Sequence, residues 1–186
     1  MALVLFVGGA SRPSDAESAA DSTEAIAQRI CSFPRFVEWP GKKMAPPGSP
    51  FVIGVLGPSG VIDALREIIQ DRRIKDHPVV LKQVLAKEEL PGCHVVFIPR
   101  TENARLDTYL RMVKREGVLT VGEGDKFMDR GGVINLVDVG GVMRFQIDLD
   151  NARRERLVVD PQLLQLALPR NMALAPPDFS AAVTRP

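Results

Sequence analysis

The sequence predicts one α/β domain of three layers: a mixed, mostly parallel sheet with helices on both faces and an antiparallel hairpin at its edge. Three observations support this. The chain has 186 residues, of which 45% are hydrophobic and 25% charged, as expected of one globular domain. Short apolar runs alternate with amphipathic helical patterns in the middle of the chain. Near the C-terminal end, apolar and polar residues alternate one by one.

The middle of the chain predicts parallel strands joined by helices. Apolar runs without alternation are typical of strands that are buried on both faces. The predicted elements are a strand over 51–56, a helix over 61–72, strands over 79–84 and 94–98, a helix over 103–115 and a strand over 118–121. Strands that alternate with helices in this way indicate βαβ units.

The last third predicts the edge hairpin and a final helix. Strands over 133–137 and 142–149 flank the turn at Gly140-Gly141. The second strand has period two, which predicts that one of its faces meets solvent. Asp160 and Pro161 then suit a helix start, with aspartate as the N-cap and proline in the first turn.

The two ends of the chain lie outside the predicted domain. Residues 2–10 are apolar and end in small residues, like a secretory signal peptide, and are too short to span a membrane. No Lys or Arg precedes them, so either the true start lies upstream or this is an ordinary buried segment. Residues 1–22 are therefore predicted as a truncated signal peptide and flexible linker, 23–168 as the domain, and 169–186 as a disordered Pro- and Ala-rich tail.

Charge and cysteine content exclude few partners. A net charge of +1 gives no reason to expect nucleic acid, and the local run Arg153-Arg154 fits a solvated helix surface. Cys31 and Cys93 have no metal-site spacing. Two buried thiols are the simpler interpretation, and a disulfide between them in an oxidising compartment is the alternative.

No catalytic motif is present, so the sequence predicts a binding protein and not an enzyme, without metal or cofactor. HExxH, Walker A and GxSxG patterns are all missing from the sequence. Cys93 and His94 are neighbours on a predicted strand and would point to opposite faces. The turn with Gly57, Ser59 and Gly60 is either a weak anion site at a helix start or a tight turn that needs no ligand.

A series of motifs carries a resemblance to a known family. The segment Phe33-Pro34-Arg35-Phe36-Val37-Glu38-Trp39-Pro40 resembles the F-x-x-F-x-E-W-P signature of the YfiR-like family of exported bacterial proteins. Further similar motifs follow in the same order: Phe51-x-Ile53-Gly54-Val55-Leu56-Gly57, Cys93-His94-Val95-Val96-Phe97-Ile98, Leu119-Thr120-Val121, Phe127 with Gly131-Gly132-Val133-Ile134, Phe145-x-Ile147-Asp148-Leu149, and Leu163-Leu164-x-Leu166-Ala167. Together they cover about residues 25–168.

The resemblance implies a periplasmic α/β regulator without enzymatic activity. It implies repression of an inner-membrane diguanylate cyclase through the periplasmic portion of that enzyme, which lowers cyclic di-GMP and restrains biofilm formation. An outer-membrane, peptidoglycan-associated lipoprotein as a second partner, homodimers and redox control through disulfides are also implied. The alternative is a periplasmic small-molecule sensor or binding module that acts with another membrane signalling partner and uses the strand-end crevice near Gly57, where open α/β sheets bind ligands.

The aromatic segment leaves two interpretations open. Phe33, Phe36 and Trp39 could pack against the sheet, or part of this group could be exposed, with Glu38, as an anchor for a protein partner. Three departures from the family pattern stand out. The chain has only two cysteines, so it cannot form the two disulfides of some of the family's repressors, and at most one bridge, Cys31–Cys93, is possible. Pro34 should kink or end the first helix, because its ring clashes with the carbonyl four residues earlier. Asp148 stands where asparagine is usual, which would alter a hydrogen bond at the edge strand.

Overall fold

A computed structural model describes residues 15–44, 46, 48–70 and 72–170. Its helices are α1 (Asp15–Ser32), α2 (Val61–Ile68), α3 (Leu106–Met112), α4 (Leu149–Arg154) and α5 (Pro161–Leu166). Its strands are β1 (Val37–Glu38), β2 (Phe51–Leu56), β3 (Arg73–Ile74), β4 (His77–Val84), β5 (Val95–Ile98), β6 (Leu119–Glu123), β7 (Ile134–Val139), β8 (Val142–Ile147) and β9 (Val158–Val159). The predicted signal peptide and most of the predicted tail lie outside the described residues.

Seven of these strands form the main sheet in the order β3-β4-β2-β5-β6-β7-β8. The inner pairs are parallel, and β7 pairs with β8 in the antiparallel hairpin that the sequence predicts. A second antiparallel pair, β3 with β4, closes the opposite edge. Its turn uses Lys75 and Asp76, both with positive φ, as two-residue hairpin loops require. The prediction of a mixed, mostly parallel sheet is confirmed.

Two hydrophobic clusters, one on each face of the sheet, make up the core. On β2, Phe51, Ile53 and Val55 belong to the cluster under α1 and α2. Leu56 belongs to the opposite cluster, which includes residues of α3. Because strand side chains alternate between faces, the apolar β2 supplies both clusters. The three-layer architecture is therefore confirmed.

Helix α1 differs from expectation at its start and agrees with it at its end. It begins at Asp15, so residues 15–21, predicted as part of a flexible linker, are helical. Three of these seven residues are alanine, the residue with the highest helix propensity, and this outweighs the small polar residues. The helix ends at Ser32, and a 3₁₀ turn (Phe33–Phe36) follows with Pro34 in its first positions. Proline thus ends the helix, as predicted.

A separate two-stranded sheet joins the first part of the domain to the last. β1 pairs antiparallel with β9, with Val37 opposite Val159 and Glu38 opposite Val158. The pairing extends by one bond, in which the backbone N–H of Asp160 donates to the carbonyl of Phe36 at 2.8 Å. This small sheet holds the aromatic segment in place against the C-terminal part of the domain.

The connection between β6 and β7 is anchored by one buried ring. Phe127 is 1% exposed and lies between two glycines. A Cβ atom added at Gly122 or Gly132 would lie 2.2 or 2.1 Å from that ring. Both glycines are therefore needed because the aromatic ring packs directly against the backbone.

Candidate functional site

The aromatic segment is mainly a packing element. Phe33 is fully buried, and its ring meets that of Phe145 edge-on at 5.1 Å. Trp39 is 8% exposed, and its indole N–H donates to the backbone carbonyl of His94 at 3.2 Å. Its ring also meets Phe51 edge-on at 5.1 Å. Phe33 and Trp39 therefore serve the core, and in this fold neither is exposed as an anchor.

His94 belongs to the same cluster and is held neutral. Its ring stacks on Phe51 at 4.6 Å, Nδ1 accepts from the backbone N–H of Val52 at 3.0 Å, and Nε2 donates to the carbonyl of Lys43 at 3.2 Å. Burial, with a smaller contribution from the Lys43 cation, lowers the pKa of His94 to about 4. Both ring nitrogens are occupied, so this histidine packs and does not act as a base.

The other two residues of the predicted anchor remain accessible. Phe36 is half-buried, and Glu38 is exposed. Glu38 lies directly opposite Val158, which is 61% exposed although it is a strand residue. Opposite residues in an antiparallel pair share one face. We call Phe36, Glu38 and Val158 the strand-pair surface.

The Gly57 turn is stabilised by the protein's own groups. Gly57 has φ of +65°, and a Cβ there would lie 2.8 Å from a carboxylate oxygen of Glu102. Tyr109 donates its hydroxyl to the other oxygen of Glu102 at 2.6 Å. The Ser59 hydroxyl accepts from the backbone N–H of Val61 at 3.3 Å, and Gly60 is exposed. A carboxylate beside the turn repels anions, so this geometry favours a tight turn without an anionic ligand.

The two cysteines are free, buried and on opposite sides of the sheet. Cys31 packs in the cluster under α1, whereas Cys93 packs in the cluster on the other face. The alternative of a Cys31–Cys93 disulfide is therefore wrong for this fold, because the sheet separates the two thiols. Burial raises the pKa of Cys31 to about 11 and also raises that of Cys93, which keeps both in the unreactive thiol form.

One feature that the sequence reasoning missed is a basic groove of about 700 Å³. Its cationic lining residues are Arg111, Lys114, Arg115, Arg130, Arg153, Arg154 and Arg156. They come from three separate segments of the chain. Of these residues, the sequence alone singles out only the run Arg153-Arg154, and this run by itself fits a solvated helix face. The fold is what brings these charges together.

Within the described part of the chain, no group of three or more His, Cys, Asp or Glu side chains could hold a metal ion. None of the helices in that part is both long enough and apolar enough to cross a membrane.

Comparison with known protein families identifies the chain. The sequence profile of the family described as YfiR/HmsC-like matches residues 23–168. The chain belongs to the YfiR/HmsC-like family. Membership in this family supports a periplasmic regulatory role in general.

Several solved structures are similar to the chain, and one of them comes from Vibrio cholerae. The crystal structure of a conserved domain protein from Vibrio cholerae O1 biovar El Tor is similar, with a TM-score of 0.48 and 12% sequence identity. The match covers 78% of this YfiR/HmsC-like chain and 58% of the Vibrio chain. No curated protein matches the chain with significance.

Proposed function

We propose that this protein is a non-enzymatic periplasmic repressor that binds the periplasmic portion of an inner-membrane diguanylate cyclase. Binding lowers cyclic di-GMP and so restrains biofilm formation. The observation that carries the proposal is the YfiR/HmsC-like match over residues 23–168. An outer-membrane, peptidoglycan-associated lipoprotein that sequesters the repressor, and a homodimer, remain predictions of the same resemblance.

The strand-pair surface is the best remaining candidate for contact with the cyclase. Of the four residues in the predicted anchor, only Phe36 and Glu38 are accessible, and Val158 joins them across the β1–β9 pair. An exposed apolar side chain opposite a carboxylate, with a half-buried aromatic residue just before β1 in the chain, combines the contact area and polar rim of protein interfaces. The two-stranded pairing also fixes the backbone under these side chains, which lowers the entropic cost of binding.

Capture from membranes tests the surface. Val158→Asp places a charge where the proposal needs apolar contact, so a cyclase captured by the wild-type protein from solubilised membranes should be lost. Val142→Asp is the matched control, because Val142 is 57% exposed and lies on the β7–β8 hairpin. Equal capture by both variants would exclude the strand-pair surface and leave the repressor role to be tested separately.

Cyclic di-GMP levels test the repressor role. Deletion of the gene should raise cellular cyclic di-GMP, and the wild-type protein supplied in trans should lower it again. An unchanged level after deletion would contradict the proposal.

The alternative function is a small-molecule sensor that uses the crevice at the Gly57 turn. The crevice lies where the chain leaves β2 between its neighbours β4 and β5, which is the topological switch point of the sheet. The carboxylate of Glu102 beside Gly57 argues against an anionic ligand there. The geometry therefore gives no support to a sensor of anions at this turn.

A further inference from the structure

The basic groove concentrates positive charge in a protein whose net charge is only +1. Its cations come from the end of α3 and the turn after it, from Arg130 in the β6–β7 connection, and from α4 with its following turn. Two acidic residues, Asp107 and Glu155, also line it. Seven cations against two carboxylates leave the lining strongly positive.

The two lining carboxylates do not neutralise this excess. Asp107 accepts a hydrogen bond from Arg130 at 2.6 Å and is thereby paired. Glu155 is buried, and one of its oxygens accepts the backbone N–H of Arg115 at 3.0 Å while the other has no partner in the described structure. Burial raises the pKa of Glu155.

Most of the groove cations have no carboxylate partner. Arg153 pairs with Asp150 at 2.9 Å, one turn earlier in α4. Within the residues that the structure describes, ion pairs are missing for five others: Arg111, Lys114, Arg115, Arg154 and Arg156. All five are exposed. They are therefore free to meet an acidic partner.

Helix-dipole effects explain only part of this arrangement. Cations at the C-terminal ends of α3 and α4 stabilise those helices, as they do in many proteins. However, Arg115 and Arg156 adopt φ of +66° and +58°, in the left-handed region that favours glycine or asparagine after a helix. Two arginines at such positions, both lining one groove, point to a use for their charge beyond helix capping.

We propose that the basic groove binds an acidic segment of a protein partner. The inference rests on the proposed role as a protein-binding regulator. One small anion needs two or three cations. The seven cations of the groove are spread over three chain segments and suit an extended row of carboxylates. Six of the seven are arginines, whose planar fork binds carboxylates in a bidentate manner. The concave shape disfavours a flat membrane, and the lack of aromatic lining residues disfavours nucleic acid.

Fluorescence anisotropy with a labelled hexaglutamate peptide tests this directly. The double variant Lys114→Gln/Arg156→Gln should weaken binding by about tenfold, since each exposed charge pair contributes up to about 1 kcal/mol. Arg100→Gln/Arg144→Gln removes two exposed charges outside the groove lining and should bind like the wild type. Equal weakening by both variants, or no binding by the wild type, would overturn the proposal.

Two further measurements separate other ligands and the proposed function. Phosphatidylglycerol vesicles and inorganic tripolyphosphate should each bind more weakly than hexaglutamate. Stronger binding of either one would assign the groove to that ligand and refute the proposal of an acidic protein segment. In cells, the groove variant should fail to lower cyclic di-GMP in the deletion strain. Full complementation by the groove variant would refute the groove proposal and leave the proposed repressor role standing. If deletion of the gene does not change cyclic di-GMP, the repressor role alone is refuted.

Discussion

Replacement of Trp39 by alanine distinguishes a core role from an anchor role for the aromatic segment. The side chain is 8% exposed and contacts Phe51, and its indole N–H is bonded to the carbonyl of His94. Truncation of a buried aromatic residue to alanine costs about 3–5 kcal/mol, which includes the cavity left behind. In a chain of this size, each kcal/mol lowers Tm by about 2–4 °C, so we expect a decrease of about 6–20 °C.

Far-UV circular dichroism is the suitable assay for the melting experiment. Trp39 is the only tryptophan, so the alanine variant has no tryptophan fluorescence to follow. Trp39→Phe is the matched control, because it keeps most of the apolar volume and removes the N–H donor; it should cost about 1 kcal/mol for the lost hydrogen bond, plus a smaller packing loss. A decrease in Tm below about 2 °C for the alanine variant, well under the expected range, would refute the core assignment.

Three further predictions concern stability in urea. Burial lowers the pKa of His94 from 6.5 to about 4. Between these two pH values the unfolded state binds more protons than the folded state. The free energy of unfolding should therefore decrease by roughly 2–3 kcal/mol as the pH falls through this range. His94→Gln should abolish this part of the pH dependence, and an unchanged slope would contradict the assignment. Gly122→Ala should destabilise the protein by about 1–3 kcal/mol, because its methyl group would overlap Phe127. Phe127→Leu combined with Gly122→Ala should recover part of this loss. If the losses of the two substitutions were additive, the contact between them would be contradicted. Asp148→Ala removes the N-cap bond to the backbone N–H of Asn151 and should cost about 1–2 kcal/mol, whereas Asp148→Asn keeps an acceptor and should cost less; equal losses would show that charge matters more than the cap.

The architecture could be predicted because the central strands β2 and β5 are nearly unbroken apolar runs. β2 and β5 each supply side chains to both hydrophobic clusters. Because both faces of these strands are buried, few polar residues occur in them. The β3–β4 hairpin was missed because β3 has only two residues and its turn uses Lys75-Asp76, without the glycine that usually marks such turns. Residues 15–21 of α1 were predicted as linker because small and polar residues are frequent among them.

The candidate sites were harder to predict because they depend on which residues become neighbours. Hydrophobicity alone does not distinguish a core tryptophan from an exposed one, and the contacts of Trp39 with Phe51 and His94 decide the matter. The spacing of Cys31 and Cys93 carries no information about which face of the sheet each occupies. The basic groove is formed by segments that are far apart in the sequence, so no local sequence pattern predicts it.

The β1–β9 pair has a consequence for how the chain folds as it is synthesised. Residues 37–38 cannot find their partners until residues 158–159 have emerged, and the ring of Phe33 must wait for Phe145. Such contacts between distant parts of a chain form slowly, because a large loop must close first. The nascent N-terminal segment therefore stays open until nearly the whole domain is available. The β1–β9 pair therefore makes completion of the fold depend on the C-terminal end of the domain.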